Sequence, residues 1–210
     1  MDTLQYILDK FKPVLAIRGG SEIWGINRTI MAKTLGELGF KVGAEIGVAE
    51  GYHAVVMCQQ NRNMMLFGID IWEKYSGYSE YEDPDQCYVD ARRSLSSYSC
   101  KIIRKYSMDA VKNFDDNSLD FVYIDGAHDF RNVADDICEW SKKVRPGGIV
   151  FGHDYKRSTN KSKHKLYVKD VVDAYMYSHD ISPWFILKND LKDERFGHDN
   201  PGWMYIKGDK

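Results

Sequence analysis

Five short apolar runs, at residues 42–47, 65–70, 101–104, 119–125 and 148–153, alternate with amphipathic helical patterns. That alternation constrains the fold more than any other feature of the chain. Strands separated by helices cannot close as hairpins, so they run parallel in one sheet covered by helices on both faces. The clearest helical pattern covers 129–144, where Phe130, Val133, Ile137, Trp140 and Val144 share a face. Its acids (Asp129, Asp135, Asp136, Glu139) come early and its bases (Lys142, Lys143, Arg145) late, as the helix dipole favours. Pro146-Gly147-Gly148 then breaks the helix.

Both ends of the chain depart from this rhythm. Near the N-terminus, Leu4, Ile7, Leu8 and Phe11 form one helical face stopped by Pro13. Ile26, Ile30, Met31, Leu35 and Leu38 form another, closed by Gly39. Residues 1–40 therefore read as a helical extension and 41–210 as the main domain. At the other end, a helix over 168–178 leads to apolar runs at 184–187 and 203–206 with only a polar loop between them. Such a pair reads as antiparallel, at the sheet edge.

The 210 residues suit one domain with a sizeable core. A net charge of −2 gives no case for a nucleic-acid or membrane-surface partner. No apolar run approaches the ~20 residues of a membrane span. The first residues lack the basic and apolar regions of a secretory signal. Cys58, Cys87, Cys100 and Cys138 are scattered, with no CxxC, which points to buried, reduced thiols in a cytoplasmic protein.

In an open parallel sheet, ligands bind at the carboxyl ends of the strands. The first of these ends is Glu45-Ile46-Gly47-Val48-Ala49-Glu50-Gly51, a strand, a glycine turn and a helix start. Such a turn lets a ligand approach the backbone and meet the free N–H groups of the helix. Nineteen residues past Gly51 the next run ends in Asp70, a spacing at which an acid reaches a ribose hydroxyl. An adenosine-type cofactor fits this half of the chain. The blander reading of Gly47 and Gly51 is any tight βα turn, and of Asp70 a cap on the next turn. A nicotinamide dinucleotide site would want GxGxxG, which is absent here.

The remaining strand ends carry Ser107-Met108, Asp125-Gly126-Ala127-His128 and His153-Asp154-Tyr155. If Asp125 and Asp154 end neighbouring strands, their backbones lie only ~5 Å apart. Two carboxylates that close repel unless a proton or cation sits between them. Asp125 and Asp154, with His153, are thus candidate metal ligands. Mg²⁺ prefers oxygen donors, and the imidazole of His153 shifts the balance toward Mn²⁺ or another metal. His128 is the candidate general base, with His153 as runner-up. Ser107 reads either as a ligand-lining residue or as the N-cap of a helix over 108–114. His164, His179 and His198 read as surface residues.

Together these blocks resemble the class I S-adenosylmethionine-dependent methyltransferases, from about Val42 to the C-terminus. The runs Leu119-Asp120-Phe121-Val122-Tyr123-Ile124-Asp125-Gly126-Ala127-His128 and Pro146-Gly147-Gly148-Ile149-Val150-Phe151-Gly152-His153-Asp154-Tyr155 are most similar to the O-methyltransferases of the macrocin and cephalosporin-tailoring branch. The resemblance implies a three-layer, Rossmann-like, seven-stranded sheet closed by the antiparallel pair. It implies S-adenosylmethionine as cofactor and methylation of a hydroxyl on a small molecule, such as a sugar or natural product. It places Gly47 and Gly51 against the methionine moiety, Glu45 near its amino group and Asp70 on the ribose. Ile71 or Trp72 would cover the adenine, with Ser107 and Met108 on its other side. It also implies that acids at the positions of Asp125 and Asp154 hold a metal that binds the acceptor hydroxyl. Ala49 and His53 depart from the pattern, standing where many relatives carry Gly and Ser or Thr.

The N-terminal forty residues lie outside the resemblance, in a region that helps form the acceptor pocket or a contact between two copies of the chain in such families. The segment 73–85, with Tyr75, Tyr78 and Tyr81, reads as a lid, and Lys156, Arg157, Lys161, Lys163 and Lys165 as a basic loop near the acceptor. Two other readings stand beside this one. They are a nicotinamide-dependent oxidoreductase on a similar sheet and a non-catalytic cofactor-binding protein.

Overall fold

The computed structural model describes residues 2–74, 82–158, 166–189 and 200–208. The N-terminal stretch holds α1 (Thr3–Phe11), β1 (Ser21–Trp24) and α2 (Arg28–Glu37). There follow β2 (Val42–Ile46), α3 (Tyr52–Gln60), β3 (Met65–Asp70), α4 (Pro84–Leu95), β4 (Cys100–Arg104) and the single turn α5 (Ser107–Ala110). The second half contains β5 (Leu119–Ile124), α6 (Phe130–Lys143), β6 (Val144–Gly152), α7 (Val168–Ser178), β7 (Trp184–Lys188) and β8 (Gly202–Ile206).

Among the described residues the strands form one sheet in the order β1-β7-β8-β6-β5-β2-β3-β4. Strands β4, β3, β2, β5 and β6 are parallel, and β8 lies antiparallel between β6 and β7. The sheet has eight strands, one more than the seven expected. The extra one, β1, comes from the stretch expected to be helical and pairs parallel with β7. The C-terminal pair therefore sits one strand inside the edge. Four residues with Ser21 and Ile23 buried and Glu22 and Trp24 exposed make a strand too short to show as a periodic run.

Alternation along the strands builds two cores. On β5, Phe121 and Tyr123 face one side, where they meet α1, α2, α3 and α4 through Ile7, Leu35, Met57 and Leu95. Val122 and Ile124 face the other, against Val133, Ile137 and Trp140 of α6 and Val172 and Met176 of α7. Fully burying one such aliphatic or aromatic side chain contributes about 1.5–3 kcal/mol. Helix starts are fixed by side-chain caps. Asn27 accepts from the Ile30 N–H, Asp83 from Gln86 and Asp129 from Arg131 and Asn132. The Pro146-Gly147-Gly148 break lies inside β6, where the pairing with β5 shifts register between Leu119 and Phe121. Of the four free cysteines, Cys58 is buried and Cys87 and Cys100 are half-buried, but Cys138 is exposed on α6. No helix among the described residues is long and apolar enough to cross a membrane.

From β2 the chain steps outward to β3 and β4, then returns to β5 on the opposite side of β2. The crevice at that reversal, above the carboxyl ends of β2 and β5, is where a doubly wound sheet binds its ligand.

Candidate active site

The turn after β2 closes onto the end of β5. Gly47 has φ +88°, and a Cβ there would stand 2.1 Å from the Asp125 carbonyl oxygen, so no side chain fits. Gly51, φ +85°, starts α3 with its N–H on the Val48 carbonyl. Asp70 holds this turn from beneath. Its Oδ2 accepts from the N–H groups of Val48 (2.9 Å) and Ala49 (3.0 Å), and its Oδ1 from Trp72 N–H (3.0 Å). Asp70 is thus a clasp on the turn and also part of the wall of the cleft above it.

That cleft is half open to solvent. Gly47, Asp70, Ile71, Ser107, Met108 and Asp125, all singled out in the sequence, line it together. Trp72 does not. It is fully buried, packs on Tyr88 with ring centroids 5.0 Å apart, and donates its indole N–H to the Ala49 carbonyl (2.9 Å). Of the two adenine-covering candidates, the structure leaves Ile71. Ser107 is not an N-cap either, since α5 begins at Ser107 after Tyr106 and has no side-chain cap. Its hydroxyl donates to Asp136, a buried acid of α6 that also lines the cleft.

Glu45 lies under the turn at 1 % exposure, with Oε1 3.1 Å from His53 Nδ1. Burial, together with the charges of Asp125 and Asp70, pushes its carboxyl well above the usual range, and Arg28 opposes that only in part. His53, the residue that departs from the family pattern, is clamped between Glu45 and the Tyr123 ring, centroids 4.2 Å apart.

The ends of β5 and β6 bring the expected acids together. Asp125, His128 and Asp154 each offer a ligand atom within 4.8 Å of the others. His128 Nε2 lies 3.0 Å from Asp154 Oδ2 and 3.6 Å from Asp125 Oδ1. His153 flanks the cluster, its Nδ1 3.5 Å from Asp154 Oδ2 and 3.8 Å from Asp125 Oδ1. The compact triad therefore holds His128, with His153 beside it. Tyr123 donates its hydroxyl to Asp125 Oδ2 (3.1 Å), and Asn200 donates its amide to Asp154. Burial alone would raise both carboxyls. For Asp125 the positive charge of His153, His128 and Arg28 outweighs it and brings the pKa down to about 2. Asp154 is held still further below the carboxylate range by His128 and His153.

Arg28 is one of the residues that sequence reading missed. It opens α2, and its guanidinium reaches 3.5 Å from Asp125 Oδ2. With Asn27 and Met31 of the same helix region it lines a second, half-open cavity. His53, Tyr123, Phe151, His153, Leu187, Asn189 and Asn200 line it as well. Lys156 and Arg157 of the expected basic loop are engaged elsewhere, on Asn200 (2.8 Å) and Asp170 (3.2 Å). His179 is exposed, stacked on Tyr175. Tyr75, Tyr78, Tyr81, Lys161, Lys163, Lys165, His164 and His198 lie outside the described residues.

A doubly wound sheet closed by an antiparallel strand, with a glycine turn and an acid facing a cleft at the switch point, defines a class I methyltransferase fold. Residues 44–155, just over half of the chain, match the family described as methyltransferase domain, and the chain belongs to that family. An uncharacterised Sinorhizobium fredii protein, y4gI, is 25% identical over 114 residues, which make up 52% of this chain but only 12% of that relative. Among solved structures, an O-methyltransferase from Bacillus cereus in complex with SAH aligns over 97% of this chain and 96% of its own, with a TM-score of 0.61 at 15% identity. The cofactor-bound protein Rv0187 from MTB aligns over 99% and 88%, with a TM-score of 0.60 at 13% identity. The resemblance read from the strand ends therefore holds for both family and fold.

Proposed function

We propose that this protein transfers the methyl group of S-adenosylmethionine to a hydroxyl of a small molecule. The observation that carries the reading is the position of Asp125. It lines the cleft above the glycine turn and also belongs to the acid–histidine cluster, whose neighbours His153 and Arg28 line the second cavity. The cleft fits the cofactor, because bare backbone at Gly47 and the carboxylate residue Asp70 line it together. The second cavity, lined by Ile26, Met31, Phe151 and Leu187 together with Asn27, Arg28 and His153, fits a small acceptor. The bound cofactor supplies an electrophilic sulfonium methyl group, and the protein's task is to align the acceptor oxygen with it and take its proton.

Two carboxylates and an imidazole within 4.8 Å form a donor set suited to a divalent ion. The imidazole favours Mn²⁺ or a similar ion over Mg²⁺. Asp125, His128 and Asp154 would hold it, and when bound it would lower the pKa of the acceptor hydroxyl. An imidazole that serves as ligand does not also act as base. With the ion present, proton acceptance falls to His153, on the wall of the acceptor cavity. Without it, His128 takes that role, as read from the sequence. A cytoplasmic setting agrees with the four free thiols.

The test is calorimetry with S-adenosylhomocysteine against NAD, followed by a methyl-transfer screen of hydroxyl acceptors with and without EDTA. Binding of the first ligand alone, with EDTA-sensitive transfer to oxygen, is the expected result. Binding of NAD alone would return the oxidoreductase reading. Cofactor binding without transfer to any acceptor would favour the non-catalytic one.

A further inference from the structure

One buried acid in the cofactor cleft has no part in methyl transfer. Asp136, in the middle of α6, is 3 % exposed and lines the cleft beside Ser107, Met108 and Asn132. A relay of two hydrogen bonds sets its polarity. The Trp140 indole N–H donates to Ser107 Oγ (2.8 Å), so the Ser107 proton points onward, to Asp136 Oδ1. The other oxygen, Oδ2, approaches Gly126, where a Cβ would lie 3.5 Å away. Indole nitrogen is only a donor and hydroxyl is both donor and acceptor, so the relay runs one way and ends on the carboxyl.

We infer that Asp136, in its protonated form, donates a hydrogen bond from Oδ2 to a ring nitrogen of the cofactor's adenine, so that cofactor binding takes up a proton. This rests on the reading of the cleft as the S-adenosylmethionine site. The purine ring offers several unprotonated nitrogens as acceptors, and a flat base lying over Oδ2 would screen it from solvent. Loss of water disfavours the carboxylate and favours the acid. Even without ligand, burial pushes Asp136 up to about 7, with Asp135 and Asp129 adding to the rise and the Ser107 hydrogen bond opposing it.

The charged and titratable groups around Asp136 are few. Asp129 and Asp135 share its helix, Lys105 and Tyr106 come from the β4–α5 connection, and Asp70 and Asp125 lie across the cleft. Asp125, brought down to about 2, stays ionised throughout the neutral range. His128 and His153 lie against Asp125 and are unchanged in a variant altered only at Asp136.

The experiment is calorimetric titration of the full chain and of Asp136→Asn with S-adenosylhomocysteine between pH 6 and 8.5. Each pH is measured in two buffers of different ionisation enthalpy. The amide keeps the size, the Ser107 contact and an N–H donor but cannot ionise. Above the pKa of the free protein, wild-type affinity should fall about tenfold per pH unit, with uptake approaching one proton. Asp136→Asn should bind with nearly constant affinity and take up at least half a proton less at pH 8. Equal pH profiles and equal proton uptake in the two proteins would overturn the inference while leaving the cofactor reading intact. So would wild-type affinity that rises with pH, which would show the carboxylate accepting from the adenine amino group. Absence of S-adenosylhomocysteine binding to either protein at every pH would overturn the cofactor reading and this inference with it.

Discussion

Gly47→Ala separates steric contact at the crevice from the backbone cost of losing a glycine. Gly39, at the end of α2, provides the control, because its φ of +74° is almost as positive but a Cβ there meets nothing within 4 Å. Gly39→Ala therefore loses only conformational ease, about 1–2 kcal/mol. At Gly47 the same cost applies, and the new methyl stands 2.1 Å from the Asp125 carbonyl oxygen and 2.5 Å from its carbon. Both atoms belong to backbone, and the gap is well over an ångström short of ordinary contact. The turn after β2 must lift from the end of β5, at a further cost of about 1–3 kcal/mol. For a domain of this size each kcal/mol lowers Tm by about 2–4 °C. Gly39→Ala should thus lose about 2–8 °C and Gly47→Ala about 4–20 °C. Lifting the turn also pulls Val48 and Ala49 from Asp70, so S-adenosylhomocysteine affinity should drop at least about tenfold, or 1.4 kcal/mol, in Gly47→Ala alone. Denaturation and calorimetry on both variants give the answer. Equal losses of stability with unchanged affinity in both would refute the claim that this glycine keeps the crevice closed.

Other consequences follow from the acid cluster and its neighbours. Asp154→Ala should lower turnover at least a hundredfold while S-adenosylhomocysteine affinity stays within about threefold, since the residue stands outside the cofactor cleft; full activity would remove the metal role. His128→Ala should abolish reactivation by Mn²⁺ after EDTA, whereas His153→Ala should leave ion binding measurable and shift the pH–rate profile. Asp125 and Asp154 are more acidic folded than unfolded, so their stabilisation is present above about pH 4 and drains away as pH falls toward 2. An acid denaturation curve should show that loss, and Asp125→Asn should flatten it. Asp136 has the opposite sign. Its folded pKa lies above the unfolded one, so the ligand-free protein loses a few kcal/mol between about pH 4 and 7. Asp136→Asn should be more stable than wild type at pH 8 and equal to it at pH 4 by urea titration.

The legible parts of this protein are those where local sequence and tertiary role coincide. Gly47, Asp70, Asp125 and Asp154 stand directly after apolar runs, and in a parallel sheet the end of such a run is the site wall, so each could be placed without knowing its neighbours. Strand β1 was hidden because four residues cannot establish a period, and it is defined by pairing with β7, more than 160 residues later. Arg28 and Asp136 sit within helical patterns, where a charged residue looks like part of a solvated face. Only the packing of α2 and α6 against the sheet turns them inward. Trp72 was misplaced for the converse reason. Its position after Asp70 suggested a cover for the adenine, but a backbone φ of +45° at Trp72 swings the indole beneath the turn and into the core.

The same distinction divides the two halves of the site. Among the described residues, those lining the cofactor cleft all lie between Ile46 and Asp136, inside the segment that matches the methyltransferase family. The acceptor cavity is assembled differently. Ile26, Asn27, Arg28 and Met31 come from before that segment, and Leu187, Asn189, Asn200 and Gly202 from after it. Membership of the family thus speaks for the chemistry of the cofactor and for the acids at the ends of β5 and β6. On the proposed reading, acceptor choice rests on α2 and the β7–β8 region, which close this cavity over His53, Tyr123, Phe151 and His153 of the family segment. Substitutions at Arg28 or Met31 should accordingly change acceptor KM and choice while leaving S-adenosylhomocysteine affinity within about threefold. A variant of either residue that lost the cofactor and kept its acceptor preference would show that the two cavities are not divided in this way.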